Sequence, residues 1–328
     1  MIQNTQETIP KTSIISEKLF KVLKWAIFMI IVVMIYQTFQ QKYQNISEII
    51  IAFQEAFVWK NTEIILLLII LIFINWGFEA LKWQILAKKI ESISFSKAYQ
   101  SVLVGLSLGF ITPANVGDFA GKIWYLKSKN KSETVGTILL GNGIQFYVSL
   151  IFGVISYLII WQKNISIIDQ IIFGLLIFAL ILGIIIYSMR FKIIGLLQKK
   201  LWLKKYRNHI NALVLFNSRE ISTLFLWSIL RYLTFSLQFV LMLWLFEVKI
   251  NLIYLWAVSC LIFLFKTIIP AINFISDLGV REYTAMHFFS LFSVNISAVI
   301  SATFCLWLLN ILLPVIVGSF LILRAKNK

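Results

Sequence analysis

Two short segments hold an unusual concentration of charge, glycine and proline between apolar runs. One is TPANVGDFAGK, Thr112 to Lys122, and the other is IPAINFISDLGVRE, Ile269 to Glu282. Each has Pro-Ala after an apolar run, at Pro113 and Pro270, followed by a glycine and an aspartate. A base then lies four residues beyond each aspartate: Lys122 after Asp118, and Arg281 after Asp277, with Glu282 next to it. Proline cannot continue a helix without losing a backbone hydrogen bond. Gly117 and Gly279 allow a tight turn and close backbone approach. A helix that restarts after such a break aims its free N–H groups back at it and attracts anions, phosphate included. Lys122 and Arg281 add positive charge, and a guanidinium can clasp a phosphate or carboxylate with two parallel hydrogen bonds. Asp118, Asp277 and Glu282 can orient those bases or accept from a cationic ligand. The competing expectation is internal pairing, because i,i+4 ion pairs neutralise each other and buried charges need partners.

The elements that must carry these segments follow from composition. The chain has 328 residues, of which 60% are hydrophobic and 13% charged, with mean hydropathy +0.88. A soluble protein would carry about 25% charged residues. Several apolar runs reach the ~20 residues that cross a bilayer core, so an all-α polytopic membrane protein is expected. No stretch is long and polar enough for a separate soluble domain, and residues 1–328 read as a single transmembrane domain. The net charge of +16 comes from Lys and Arg beside apolar runs, which fits membrane topology rather than nucleic-acid binding. The polar, basic segment 1–21 precedes an apolar run without a small-residue cleavage site, so that run reads as a retained span.

Six blocks are long enough to cross: about 22–39, 64–86, 134–161, 167–189, 220–246 and 296–323. The basic residues cluster before the first, after the second, before the third, between the fourth and fifth, and after the last. Placing those segments inside puts both termini in the cytoplasm. The remaining blocks, 98–131 and 247–295, must then start and end on the same side. Each is then a re-entrant hairpin or a pair of full crossings; hairpins are the favoured reading for both, with one true crossing at 250–269 as the alternative in the second. An internal repeat follows: unit A, about 64–161, and unit B, about 220–323, each a span, a hairpin and a span. Opposite orientation of the two would make an inverted repeat, an architecture used by many transporters.

Other polar residues lie within the apolar blocks. Arg231 sits ~11 residues into its span, near mid-bilayer at about 1.5 Å per residue, with Gln238 on the same face. Asn142 and Gln145 lie three apart in the third span, and Asn75 and Glu79 face one side of the second. An ionisable group at that depth points to function by default. Asn142 and Gln145 suit either a cavity wall or interhelical hydrogen bonding. Glu79 and Lys82 read as ordinary residues at the inner membrane boundary. The segment 191–210 mixes apolar and basic residues and suits the inner-leaflet surface or a topology-setting loop.

No catalytic motif of the GxSxG, Walker A, GxGxxG or HExxH type is present. Cys260 and Cys305 lie inside apolar blocks, and His209 and His287 have no ligand-like spacing. Neither an enzyme, a metal site nor a cofactor is expected.

The motifs ITPANVGDFAGKIWYL, Ile111 to Leu126, and IPAINFISDLGVREY, Ile269 to Tyr283, resemble those of the lysylphosphatidylglycerol synthase transmembrane region, a flippase-like family, over roughly residues 15–325. The first resembles the family's Pro-x-x-x-Gly-Glu segment with a following base, and the second its Pro…Gly-Val-Arg-Glu segment. Asp118 stands where the family usually has Glu, and Lys122 where Arg is common. Asn142 and Gln145 stand in a span where many members carry charges. The aminoacyl-transferase domain of larger relatives is not in this sequence. The resemblance implies a bacterial inner-membrane protein that moves a polar phospholipid or aminoacyl-lipid head group between leaflets. The site residues it points to are Pro113, Gly117, Asp118, Lys122, Pro270, Asp277, Gly279, Arg281 and Glu282, to which Asn142, Gln145 and Arg231 are added from their depth. Membrane lipids, anionic or aminoacylated, are the expected partners, with a lipid-modifying enzyme or glycosyltransferase as a further one. The alternatives are an accessory subunit of lipid-linked glycosyl transfer and a small-solute secondary transporter.

Overall fold

The computed structural model describes residues 51, 53–112, 115–127, 131–163, 165–199, 215–269 and 274–324, with five isolated positions before them. The expected span 22–39, apart from those five positions, therefore lies outside the described residues, as do Pro113, Pro270 and the side chain of Asp277. The described residues form helices: α1 (Thr62–Ala87), α2 (Phe95–Phe110), α3 (Val116–Trp124), α4 (Lys131–Ile160), α5 (Ile167–Ser188), α6 (Arg190–Lys199), α7 (Ser218–Leu245), α8 (Leu252–Ile268), α9 (Phe274–Phe289), α10 (Ile296–Trp307) and α11 (Leu313–Arg324). Five helical stretches among them are long and apolar enough to cross a membrane: Trp59–Ala87, Glu133–Lys163, Ile167–Ser188, Ser218–Leu245 and Ile296–Arg324. These match five of the six expected blocks.

Local sequence explains where the helices start. Ser166 and Asn217 cap α5 and α7, and Asp169 and Glu220 three residues on close the reciprocal capping boxes. Ser94, Asn251 and Asn295 accept from the first-turn amides of α2, α8 and α10. The last expected span is interrupted by a π turn at Leu308–Leu312. Pro314 has no N–H to offer the carbonyl four residues back, which is that of Asn310. That carbonyl instead accepts from Trp76 Nε1 of α1 at 3.2 Å, so a helix defect becomes an interhelical tie.

Block 98–131 folds as a tight helical hairpin. In its two arms, Gly105 faces Gly121 and Leu108 faces Gly117, so α2 and α3 run antiparallel in backbone contact. A Cβ on Gly117 would overlap the Leu108 carbonyl, and one on Gly121 would overlap the backbone of Gly105. At the tip, Thr112 Oγ1 accepts from Gly117 N at 2.7 Å and donates back to Leu108 O at 3.0 Å. Asn115 takes the left-handed conformation, φ 56°, as α3 begins, which asparagine tolerates better than most residues. The second block folds as α8 and α9, which pack on each other. With 16 and 17 residues, α2 and α8 span only about 24–26 Å, less than a ~30 Å hydrocarbon core.

The helices pack reciprocally. α1 lies against α7; α2 of the first hairpin lies against α11; α8 of the second hairpin lies against α4. The first arm of each hairpin thus rests on the closing helix of the other half. Gly318 of α11 touches the Leu103 carbonyl of α2, and Ser107 of α2 donates to Val315 O of α11 at 2.7 Å. The largest hydrophobic core joins α4, α7, α8, α9 and α10. Around Phe152 and Tyr232, whose rings stack 4.7 Å apart, the Tyr232 hydroxyl donates to Cys260 O at 3.0 Å. α5 stands apart, with only 6% of its apolar window buried. Its anchors include Tyr147, whose hydroxyl donates to Leu180 O at 3.0 Å.

Candidate functional site

A buried ionic cluster sits where α1, α3, α4 and α7 converge, centred on Glu79. Glu79 Oε1 is 3.0 Å from Lys122 Nζ, and its Oε2 lies 3.1 Å from Lys82 Nζ and 3.3 Å from Arg231 Nη1. Lys122 also reaches Asp118 Oδ2 at 2.9 Å. Gln145 Oε1 accepts from Lys82 at 2.8 Å and from Arg231 at 3.5 Å, while its Nε2 donates to Ser228 O at 3.3 Å. The side chains of Lys82 and Lys122 are only 2% and 5% exposed. Charges so removed from water persist only when paired and hydrogen-bonded, and this network supplies both.

The expectation that Glu79 and Lys82 are boundary residues is therefore corrected. They are the hub of the network, because α3 and α7 deliver Lys122 and Arg231 to the same face of α1. A signal was present: Asn75, Glu79 and Lys82 follow at i, i+4 and i+7, one continuous face of a helix. The i,i+4 pairing of Asp118 with Lys122 does form, and Lys122 bridges from it to Glu79.

The cluster borders a cavity of about 360 Å³, within the size range of ligand pockets. From the first hairpin come Thr112, Asn115, Asp118 and Lys122; from the second come Lys266, Thr267 and Arg281. Asn142 and Gln145 of α4, Arg231 of α7, and Asn75 and Glu79 of α1 complete the polar wall. Apolar residues such as Phe110, Phe146, Phe235 and Phe263 line the rest. Among the described lining residues are four basic side chains (Lys122, Arg231, Lys266, Arg281) and two carboxylates (Glu79, Asp118).

Of the residues singled out from sequence, Asp118, Lys122, Asn142, Gln145, Arg231 and Arg281 thus meet at one cavity. Gly117 serves the hairpin contact, while Gly279 and Glu282 lie half-buried on α9. Arg281 is 2% exposed. Arg231 Nε is buried with no hydrogen-bond partner among the described residues, and the guanidinium lies 5.3 Å from the centre of the Trp76 ring, within cation–π range. Asn75 Oδ1 is likewise buried without a partner among the described residues.

Trp76 joins the site without having been singled out from sequence, through packing of α1, while Asn75 and Lys266, polar residues within apolar blocks, line it as well. A comparison with curated proteins gives no match. The family model of the lysylphosphatidylglycerol synthase TM region matches residues 22–318, so this multi-pass membrane chain, with its two helical hairpins and its charged cavity, belongs to that family.

Proposed function

We propose that the protein is a lipid translocase that passes a polar phospholipid or aminoacyl-lipid head group through this cavity while the acyl chains remain in the bilayer. The observation that carries the reading is the cavity itself: polar and charged residues from both hairpins converge on one pocket inside an apolar helical assembly. Intramembrane charge is costly and belongs to a substrate path by default. In this reading α2–α3 and α8–α9 are re-entrant hairpins opening to opposite sides, and the halves about 64–161 and 220–323 form an inverted repeat. The reciprocal packing of each hairpin on the other half supports that relation, and irregular backbone at membrane depth is tolerated where it lines a wet cavity. The short α2 and α8 support it as well. Both termini would be cytoplasmic, in a bacterial inner membrane, as the basic segments suggest. The protein itself performs no covalent chemistry in this scheme; a lipid-modifying enzyme or glycosyltransferase would supply or consume the lipid.

The test is lipid movement in proteoliposomes, with tail-labelled lipids and chemical quenching of the outer leaflet. Wild-type protein is expected to move at least one lipid class, and Arg231→Ala and Arg281→Ala to lose that movement. Folded wild-type protein that moves no lipid, or variants that move it at the wild-type rate, would sink the reading.

A further inference from the structure

We infer that the cavity receives a phosphoryl anion at Arg231 and discriminates against aminoacylated, ammonium-bearing head groups. The inference rests on the translocation reading only for the source of the anion, a lipid head group.

Most hydrogen-bonding valences in the cluster are already used. Lys122 Nζ is held by Glu79 at 3.0 Å and Asp118 at 2.9 Å, and Lys82 Nζ by Glu79 at 3.1 Å and Gln145 at 2.8 Å. Of the carboxylates on the cavity wall, Glu79 is shared by three cations and Asp118 gives one oxygen, Oδ2, to Lys122. An incoming ammonium would compete for these carboxylates with buried lysines, whose own charge needs them.

Arg231 is different. Its Nη1 shares Glu79 and Gln145, its Nε has no partner among the described residues, and its Nη2 carries no hydrogen bond among them. Its side chain is 23% exposed and lines the cavity. Trp76 lies 5.3 Å from the guanidinium and, tied to Asn310 O at 3.2 Å, limits where it can swing. A guanidinium with open N–H groups fits a phosphoryl group's oxygens by geometry as well as charge.

The wider charge balance points the same way. Lys82, Lys122, Arg231, Lys266 and Arg281 are five cations on the wall or directly behind it. Among the described residues they outnumber the carboxylates, five to four, even when Asp277 and Glu282 of α9 are counted with Glu79 and Asp118. In a low-dielectric pocket that excess attracts an anion and repels a cationic head group.

The decisive experiment is equilibrium binding to purified protein in neutral detergent. The probes are dihexanoyl phosphatidylglycerol, its lysylated counterpart, dihexanoyl phosphatidylcholine and inorganic phosphate. Phosphatidylglycerol should bind at least ~10-fold more tightly than the lysylated form. Arg231→Gln should weaken it by about 10- to 100-fold, the range for hydrogen bonds to a charged group. Arg231→Lys, which keeps the charge and loses the fork, should fall between. Equal or tighter binding of the lysylated lipid overturns the inference from the wild-type protein alone, whether or not either variant folds. So does wild-type affinity in both folded variants. Inorganic phosphate that competes as well as phosphatidylglycerol upholds the anion site and names a soluble anion as its source. Selective binding of phosphatidylglycerol without lipid movement in vesicles overturns translocation and leaves the anion site standing.

Discussion

Glu79 and Asp169 are both deeply buried carboxylates, 8% and 3% exposed, yet they are satisfied in opposite ways. Glu79 is surrounded by three basic side chains delivered from α1, α3 and α7. Asp169 sits in the first turn of α5 and accepts from Ser166 Oγ at 2.6 Å and Tyr157 OH at 3.2 Å, with His287 Nε2 of α9 at 3.1 Å. Two hydroxyl donors, a histidine and the positive end of a helix dipole hold Asp169, with no lysine or arginine among its described partners. That arrangement closes a helix start and ties α5 to α4 and α9, and Asp169 does not line the cavity. Glu79 holds more positive charge than it can cancel, and the surplus faces an open pocket. Burial of a carboxylate alone therefore does not separate a helix tie from a cavity wall; the counter-charge gathered around it does.

The sharpest way to break the contrast is Glu79→Gln. It leaves Lys82, Lys122 and Arg231 without their shared counter-ion, and the loss should be about 3–5 kcal/mol, the usual cost of breaking a buried ion pair from one side. Unfolding in detergent micelles measures it. Adding Lys82→Gln should recover part of that loss, since it removes one stranded charge; no recovery would mean that Lys82 is not coupled to Glu79. Next in size is Asp169→Asn, which keeps the shape of the cap but loses its charge, at about 1–3 kcal/mol. Phosphatidylglycerol binding should be unchanged in that variant once folded, and a changed affinity would show that the two carboxylates are not independent. Tyr157→Phe removes one donor to Asp169 and should cost about 1 kcal/mol by the same measurement. The smallest effect is expected from His287→Phe, because the His287 side chain is 41% exposed and a partly solvated ion pair contributes about 0–1 kcal/mol.

Much of the frame could be read from residue order. Runs of apolar residues bounded by Ser166, Asn217, Asn251 and Asn295 start helices where they are observed, because capping is a local interaction. The first hairpin was legible from Thr112, Gly117 and the short length of the block, though the facing of Gly105 on Gly121 was not. The π turn also had a local cause in Pro314, whose missing N–H frees the Asn310 carbonyl. Family membership was legible in the two hairpin motifs, which local pattern alone carries.

The site was legible only in part. Asp118, Lys122 and Arg231 stand out because charge is rare in apolar runs, and that rarity is a property of the sequence. Glu79 did not stand out, because two turns from the end of a helix it looks like any boundary acid. Its partner Lys122 is 43 residues away, and nothing in the spacing says that the glycine contacts of α2 and α3 will carry that lysine back to α1. Composition and periodicity determined that this chain forms membrane-length helices with two broken, charged segments between them, because hydrophobic transfer and helix breaking act on near neighbours. Only the tertiary structure decided which cations share Glu79 and which guanidinium keeps open donors, because those outcomes depend on how four helices approach one another.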